Sequence, residues 1–185
     1  TYLQVGSEGI VTPDDVARAI RPETALISIM HANNEIGTIQ PITEIARIAS
    51  ESNIYFHTDA VQSAGKIPLD VDGLGVNLLS LSAHKIHGPQ GVGALYVRKG
   101  TPLRPLLFGG HHERDRRAGT ENVAGIVGFG KAAEIAANPL KGEAERMVQL
   151  RDHLESSILS NVPQVRINGD PKRRLPSTSN LEFNY

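Results

Sequence analysis

The sequence predicts an α/β fold: a mostly parallel sheet with flanking helices, followed by the start of a smaller C-terminal α/β domain. Three observations carry this reading. Short apolar runs at residues 25–30, 54–57 and 76–81 lack a helical period and are compact, as buried parallel strands are. Helix-patterned sequence separates the first two runs, with Ile42, Ile45, Ile48 and Ala49 on one face. Each run also ends in polar or hydroxylated sequence, which is where α/β proteins place their chemistry. Residues 1–138 read as part of a larger domain, and residues 139–185 as a bridging helix and the beginning of a second one.

Composition bounds the function. With 185 residues and 39% hydrophobic content the chain can bury one sizeable core. A formal net charge of -1 gives no bulk attraction to nucleic acid or to an anionic membrane. No apolar run approaches the roughly 20 residues of a bilayer span, and no leader pattern opens the chain. Cysteine is absent, which excludes disulfides and thiolate metal sites within these residues. The seven histidines are scattered; His111-His112 and the His84/His87 pair suit a surface or phosphate-facing role better than a metal site. The expectation is a cytoplasmic protein. Lacking an initiator Met and ending on a just-completed strand at Leu181 to Tyr185, the chain reads as a piece of a longer protein.

In order, Thr12-Pro13-Asp14-Asp15 starts a short helix, with a hydroxyl N-cap, Pro at N1 and acids in the first turn. That helix stops before Pro22. The strand at 25–30 runs into His31-Ala32-Asn33-Asn34-Glu35-Ile36-Gly37-Thr38, where the two Asn are either turn formers or site residues. Pro41 opens the next helix. The strand at 54–57 leads to Thr58-Asp59-Ala60-Val61-Gln62-Ser63. Asp59 either caps a following helix or holds a ligand, and Gln62 shares its face if a helix begins there.

The chain is organised around Ser80-Leu81-Ser82-Ala83-His84-Lys85-Ile86-His87-Gly88-Pro89-Gln90-Gly91-Val92-Gly93. Lys85 is either a solvated turn residue or, if buried, a lysine whose pKa falls toward that of a nucleophile. Ser82 and His84 can donate to a phosphate. Gly88, Gly91 and Gly93 permit close backbone approach or positive φ. The strand at 94–97 returns too soon for a parallel crossover and should pair antiparallel.

Gly109 to Thr120 is a mixed-charge run of the kind that forms a solvated loop. Gly128-x-Gly130-x-x-Ala133 mimics a dinucleotide fingerprint, but it follows no strand and lies in an Ala-rich helical run from Val123 to Ala137, so it is rejected. A long amphipathic helix follows, with Met147, Leu150, Leu154 and Ile158 as its apolar stripe. Lys172-Arg173-Arg174 reads as an exposed basic loop between two short strands.

Ser-x-His-Lys followed by Gly-Pro-x-Gly-x-Gly, between two strands, resembles the lysine segment of fold-type I pyridoxal 5'-phosphate (PLP) enzymes. With His-Ala-Asn-Asn-Glu-Ile-Gly, Thr-Asp-Ala-Val-Gln-Ser and Arg-Ala-Gly-Thr-Glu-Asn, the chain is similar throughout to the class V aminotransferase group that contains the NifS-like cysteine desulfurases. By that resemblance Lys85 is the Schiff-base lysine, and the Asp59 carboxylate keeps the pyridine nitrogen protonated so that the ring withdraws electrons. Gln62 reaches the phenolic oxygen, Asn34 faces ring and substrate, and Ser82 and His84 hold the phosphate. Thr120 crosses a homodimer interface to the phosphate of the other subunit. The implied reaction removes sulfur from L-cysteine, giving L-alanine and an enzyme persulfide that passes to a sulfur acceptor or scaffold protein in iron–sulfur cluster assembly or thiolation.

The chain departs from the family in one decisive respect. The family's persulfide cysteine lies beyond the Phe-Asn-Tyr region, its carboxylate-binding arginine later still, and its ring-stacking histidine before residue 1. Residues 1–185 alone are therefore expected to be inactive. Selenocysteine lyase shares these motifs and is a close rival. An aminotransferase, a kynureninase-like hydrolase and a non-catalytic scaffold of the same fold are the others; the last is disfavoured because Lys85, Asp59 and Gln62 are all present.

Overall fold

The computed structural model describes residues 1–138 and 140–184; Pro139 and Tyr185, at the expected domain boundary and the chain's last strand, lie outside the described residues. The first helix, α1 (Pro13–Ala19), forms as its sequence dictates, with Thr12 Oγ1 accepting from Asp15 N at 3.1 Å. Strand β1 (Leu26–Met30) follows, then α2 (Ile42–Glu51), β2 (Tyr55–Asp59), the one-turn α3 (Val71–Leu74), β3 (Leu78–Ser82) and β4 (Gly93–Val97). The four strands lie in the order β1-β2-β3-β4. β1–β2 and β2–β3 are parallel, and β3–β4 is antiparallel, as the short return between them requires.

The core sits on one side of this sheet. α2 buries Ile42, Ile45, Ala46 and Ala49 against Phe56, Val76 and Leu79, with Val16 of α1 completing the cluster. Asn53, at φ 54, turns the chain out of α2 directly into β2. The strands are not buried on both faces as their apolar runs suggested. Ile27 and Ile29 of β1 pack on the core, but Leu26 is 50% exposed and Met30 38%. The reason is coverage: α2 lies against one face, so alternate residues of each strand point into the open.

The second part of the chain begins with α4 (Val123–Ala137), capped by Asn122, whose Oδ1 accepts from Gly125 N at 3.1 Å. The long α5 (Leu140–Asn161) leads to β5 (Val165–Ile167) and β6 (Leu181–Phe183), an antiparallel pair. Gly128 is needed for packing: a Cβ there would fall 2.6 Å from the Pro89 ring. The rejected dinucleotide pattern is therefore a helix–loop contact.

Two expectations fail here for one reason. Leu150 and Leu154 of the expected α5 stripe are exposed, and Arg174 of the expected basic loop is buried. The buried face of α5 centres instead on Glu155, which takes Arg174 as a bidentate pair at 2.8 Å on both oxygens. A charge is removed from water only when paired, and the two residues lie far apart in sequence. This segment also clasps the turn after β1: Ile39 N donates to Arg173 O, Leu175 N to Gly37 O, and Asp170 N to Thr38 Oγ1. Glu155→Gln in the full-length protein should cost about 3 kcal/mol by leaving Arg174 underpaired, whereas Glu155→Leu with Arg174→Met should be nearly neutral. Urea unfolding of both variants checks this.

Candidate active site

The chemistry-bearing residues gather where β1, β2 and β3 end side by side. Registers Met30↔Asp59 and Asp59↔Ser80 align these ends. Two backbone bonds stitch them just beyond the ladder, His31 N to Asp59 O at 2.8 Å and Ala60 N to Ser80 O at 3.0 Å.

At the end of β1, Asn33 is the turn former: its Oδ1 accepts from Glu35 N at 2.9 Å and Ile36 N at 3.0 Å. That leaves Asn34 exposed, with no side-chain bond among the described residues. His31 was missed as a structural element. It is buried, with Nδ1 2.9 Å from Ser63 Oγ. Ser63 Oγ also lies 3.2 Å from Ala60 O, to which its hydroxyl can donate when His31 Nδ1 carries the proton. Burial holds the His31 pKa below its ordinary value near 6.5. Folding thus favours neutral His31, and its contribution to stability is full above that ordinary value and lost as pH falls through the depressed one. Denaturation of the full-length protein from about pH 8 to about pH 5 should show this loss, and His31→Gln should flatten it.

At the end of β2, Asp59 Oδ1 accepts from Val61 N at 2.9 Å, so the capping role is realised as a tight turn. Its Oδ2 has no partner among the described residues. No regular helix begins after Asp59, the condition under which Gln62 would share its face. Residues 61–66 are a run of turns with Gly65 at φ 69, so Gln62 stands on a turn. Gln62 is half-buried, and its Oε1 faces Lys66 Nζ at 3.4 Å.

At the end of β3, Ala83–Ile86 forms a 3-10 turn anchored by buried Ala83 and Ile86. Ser82 Oγ and His84 Nδ1 bond each other at 2.8 Å. Of the two readings of Lys85, the structure shows it exposed; among the described residues the half-buried lysine is Lys66. The chain leaves the turn with His87 at φ 63 and Gly88 N donating to Ala83 O at 2.9 Å. A Cβ on Gly88 would come 3.0 Å from Ala83, so close approach demands glycine there, while positive φ falls on Gly91.

On the open sheet face a cross-strand chain links Ser28 Oγ to His57 Nδ1 and His57 Nε2 to Ser80 Oγ, each at 2.8 Å. Burial lowers the His57 pKa and the Asp59 charge opposes this. Neither His57 nor Ser28 was singled out from sequence. The signal was available in the strand alternation, which puts both on the face away from α2. Thr120 lies apart, on the exposed segment after the Glu113–Asp115 turn, and its hydroxyl has no partner among the described residues.

The donor set suits a flat phosphorylated pyridine aldehyde. Lys85 offers an amine, Asp59 an unused carboxylate oxygen, Gln62 an amide, and Ser82 with His84 a hydroxyl–imidazole pair. Chemistry at the carboxyl ends of parallel strands is the general arrangement of open α/β sheets, and these residues define a protein of that class. Residues 1–185 match the class-V aminotransferase family model, and the chain belongs to that family. It is 57% identical over its whole length to cysteine desulfurase IscS of Dictyoglomus turgidum, covering 47% of that protein. It is 55% identical to cysteine desulfurase IscS of Methanosarcina thermophila, again over its whole length and covering 46% of that protein. The fold superposes on a NifS-like protein with a TM-score of 0.93 at 45% identity, over 99% of this chain and 50% of that one. It also matches SspA in complex with cysteine, with a TM-score of 0.85 at 41% identity, over 100% of this chain and 51% of that one. The chain thus spans about half the length of the curated relatives it matches. No helix among the described residues is long and apolar enough to cross a membrane.

Proposed function

We propose that the full-length protein is a PLP-dependent cysteine desulfurase, with this chain supplying the lysine that holds the cofactor. The observation that carries the reading is the meeting of Lys85, Asp59 and the Ser82–His84 pair at adjoining strand ends. Residues 1–138 are then part of the cofactor domain, and residues 139–185 the bridging helix and the beginning of the second domain. Lys85 holds the cofactor through its amine. Asp59 Oδ2 would pair with the ring nitrogen, Gln62 would donate to the phenolic oxygen, Ser82 and His84 would hold the phosphate, and Asn34 would face ring and substrate. The bound group supplies an electron sink for the substrate α-carbon. The sulfur of L-cysteine would pass to a cysteine thiolate, since none of residues 1–185 can accept it. An S–S bond would form as the C–S bond breaks, with the electron pair left on carbon and protonated to give alanine. The cytoplasm, where iron–sulfur assembly and thiolation draw on such sulfur, is its proposed location.

A homodimer completes the site. Leu106 is 93% exposed and Phe108 85%, while Val123 and Val127 of α4 are each 66% exposed, an apolar surface that a second copy would cover. Glu113, Arg114 and Asp115 all have positive φ, a strained run that an interface would support. In this arrangement Thr120 donates to the phosphate held by the other subunit. Mixing full-length Lys85→Ala and Thr120→Ala chains tests it, because each heterodimer keeps one intact site. Recovery of activity is expected; failure with heterodimer confirmed would place Thr120 in its own subunit's site.

The function itself is tested by incubating the full-length protein with L-cysteine. One alanine per sulfur transferred is expected. Transamination products in place of alanine would overturn the reading, and turnover restricted to selenocysteine would make the protein a selenocysteine lyase.

A further inference from the structure

The half-buried ammonium of Lys66 plays no part in the proposal above. The turn that ends in it is held from two sides. Gly65 lies so close to its neighbours that a Cβ there would come 2.8 Å from Ile86 Cγ2 and 3.2 Å from Ala136 Cβ, which wedges the turn against the Lys85 segment and α4. On the other side Ser63 is tied to His31, and Lys66 N donates to Ser63 O at 3.0 Å. Burial pushes the Lys66 pKa down, and the charge of nearby Lys85 adds to that. No carboxylate pairs with Lys66 among the described residues. Its one side-chain partner is Gln62 Oε1, at 3.4 Å. An ammonium donates and never accepts, so the amide atom turned toward it must be the oxygen. The Gln62 Nε2 is left with both protons and no partner among the described residues.

We propose that Lys66 is a positioning residue that fixes the Gln62 amide with its nitrogen outward, so that Gln62 presents a donor, never its carbonyl, to the phenolic oxygen of the cofactor. This rests on the PLP reading of the site. Without Lys66 the amide is free to turn over and set one oxygen against another. A donor on the phenolic oxygen stabilises its anionic form. Losing that donor would raise the proton affinity of the oxygen and of the Lys85 nitrogen that would hold the cofactor.

The test is a pH titration of the visible band of the cofactor-loaded full-length protein, with thermal melts confirming that each variant folds. Lys66→Met should raise the midpoint by about one pH unit, and Gln62→Ala should do the same. Lys66→Met in the Gln62→Ala background should add nothing further. Lys66→Arg should stay near the wild-type midpoint. If Lys66→Met is not recovered folded, Lys66→Leu, which likewise has no donor, carries the same expectation. An unmoved midpoint would overturn the proposal. So would an undiminished shift in the Gln62→Ala background, since the charge would then act without Gln62. Absence of any visible band in the wild-type protein would defeat the cofactor reading itself, a failure distinct from either of these.

Discussion

Lys85→Ala in the full-length protein is expected to reduce turnover by about four to six orders of magnitude while leaving the stability of the cofactor-free protein unchanged. The two halves of this result come from different features. Lys85 is exposed and makes no side-chain bond among the described residues, whereas its neighbours Ala83 and Ile86 are buried and hold the 3-10 turn in place. Surface truncations away from buried contacts shift stability by less than about 0.5 kcal/mol. The activity loss follows because no other lysine stands at the end of a parallel strand beside the carboxylate and the phosphate donors. Lys66 is near, but it faces Gln62. Steady-state kinetics of the cofactor-loaded protein and a denaturant melt of the cofactor-free protein check the two halves. Turnover within about tenfold of wild type would remove Lys85 from the chemistry.

Asp59→Asn should slow turnover by about two to three orders of magnitude while the cofactor is still bound. The substitution is clean because it separates the two roles of Asp59. An asparagine Oδ1 can still accept from Val61 N, so the turn at the end of β2 survives. What is lost is the negative charge on the otherwise unpartnered oxygen, and with it the pairing that keeps the ring nitrogen protonated. A fall in kcat with near-normal cofactor affinity is the expected pattern. Near-wild-type kcat would leave Asp59 as a turn cap only.

Much of this arrangement was legible in the sequence because it is local. The Thr12 cap, the α2 stripe, the parallel strands and the antiparallel return at β4 each follow from a few adjacent residues and their period. The strand-end segments were legible for the same reason, as polar and glycine-rich sequence directly after apolar runs. Relations between distant segments were not legible. Nothing near Glu155 in the chain shows that Arg174 will reach it, so α5 was read by its leucines and its buried face was misplaced. The His31–Ser63 bond joins two strand ends and is invisible in either one. The segment after Asp59 is irregular for a nearer cause: Gly65 at positive φ interrupts helical backbone geometry. The exposure of Lys85 and of one sheet face depends on what covers them, which no local pattern carries.

The central claim is that Lys85 anchors PLP. It is tested most directly by borohydride reduction of the full-length protein, followed by proteolysis and peptide mapping. The reduced cofactor is predicted on Lys85, in the peptide containing Ser82 and His84. Label on Lys66 or Lys99 instead, or no labelled peptide at all, would contradict it.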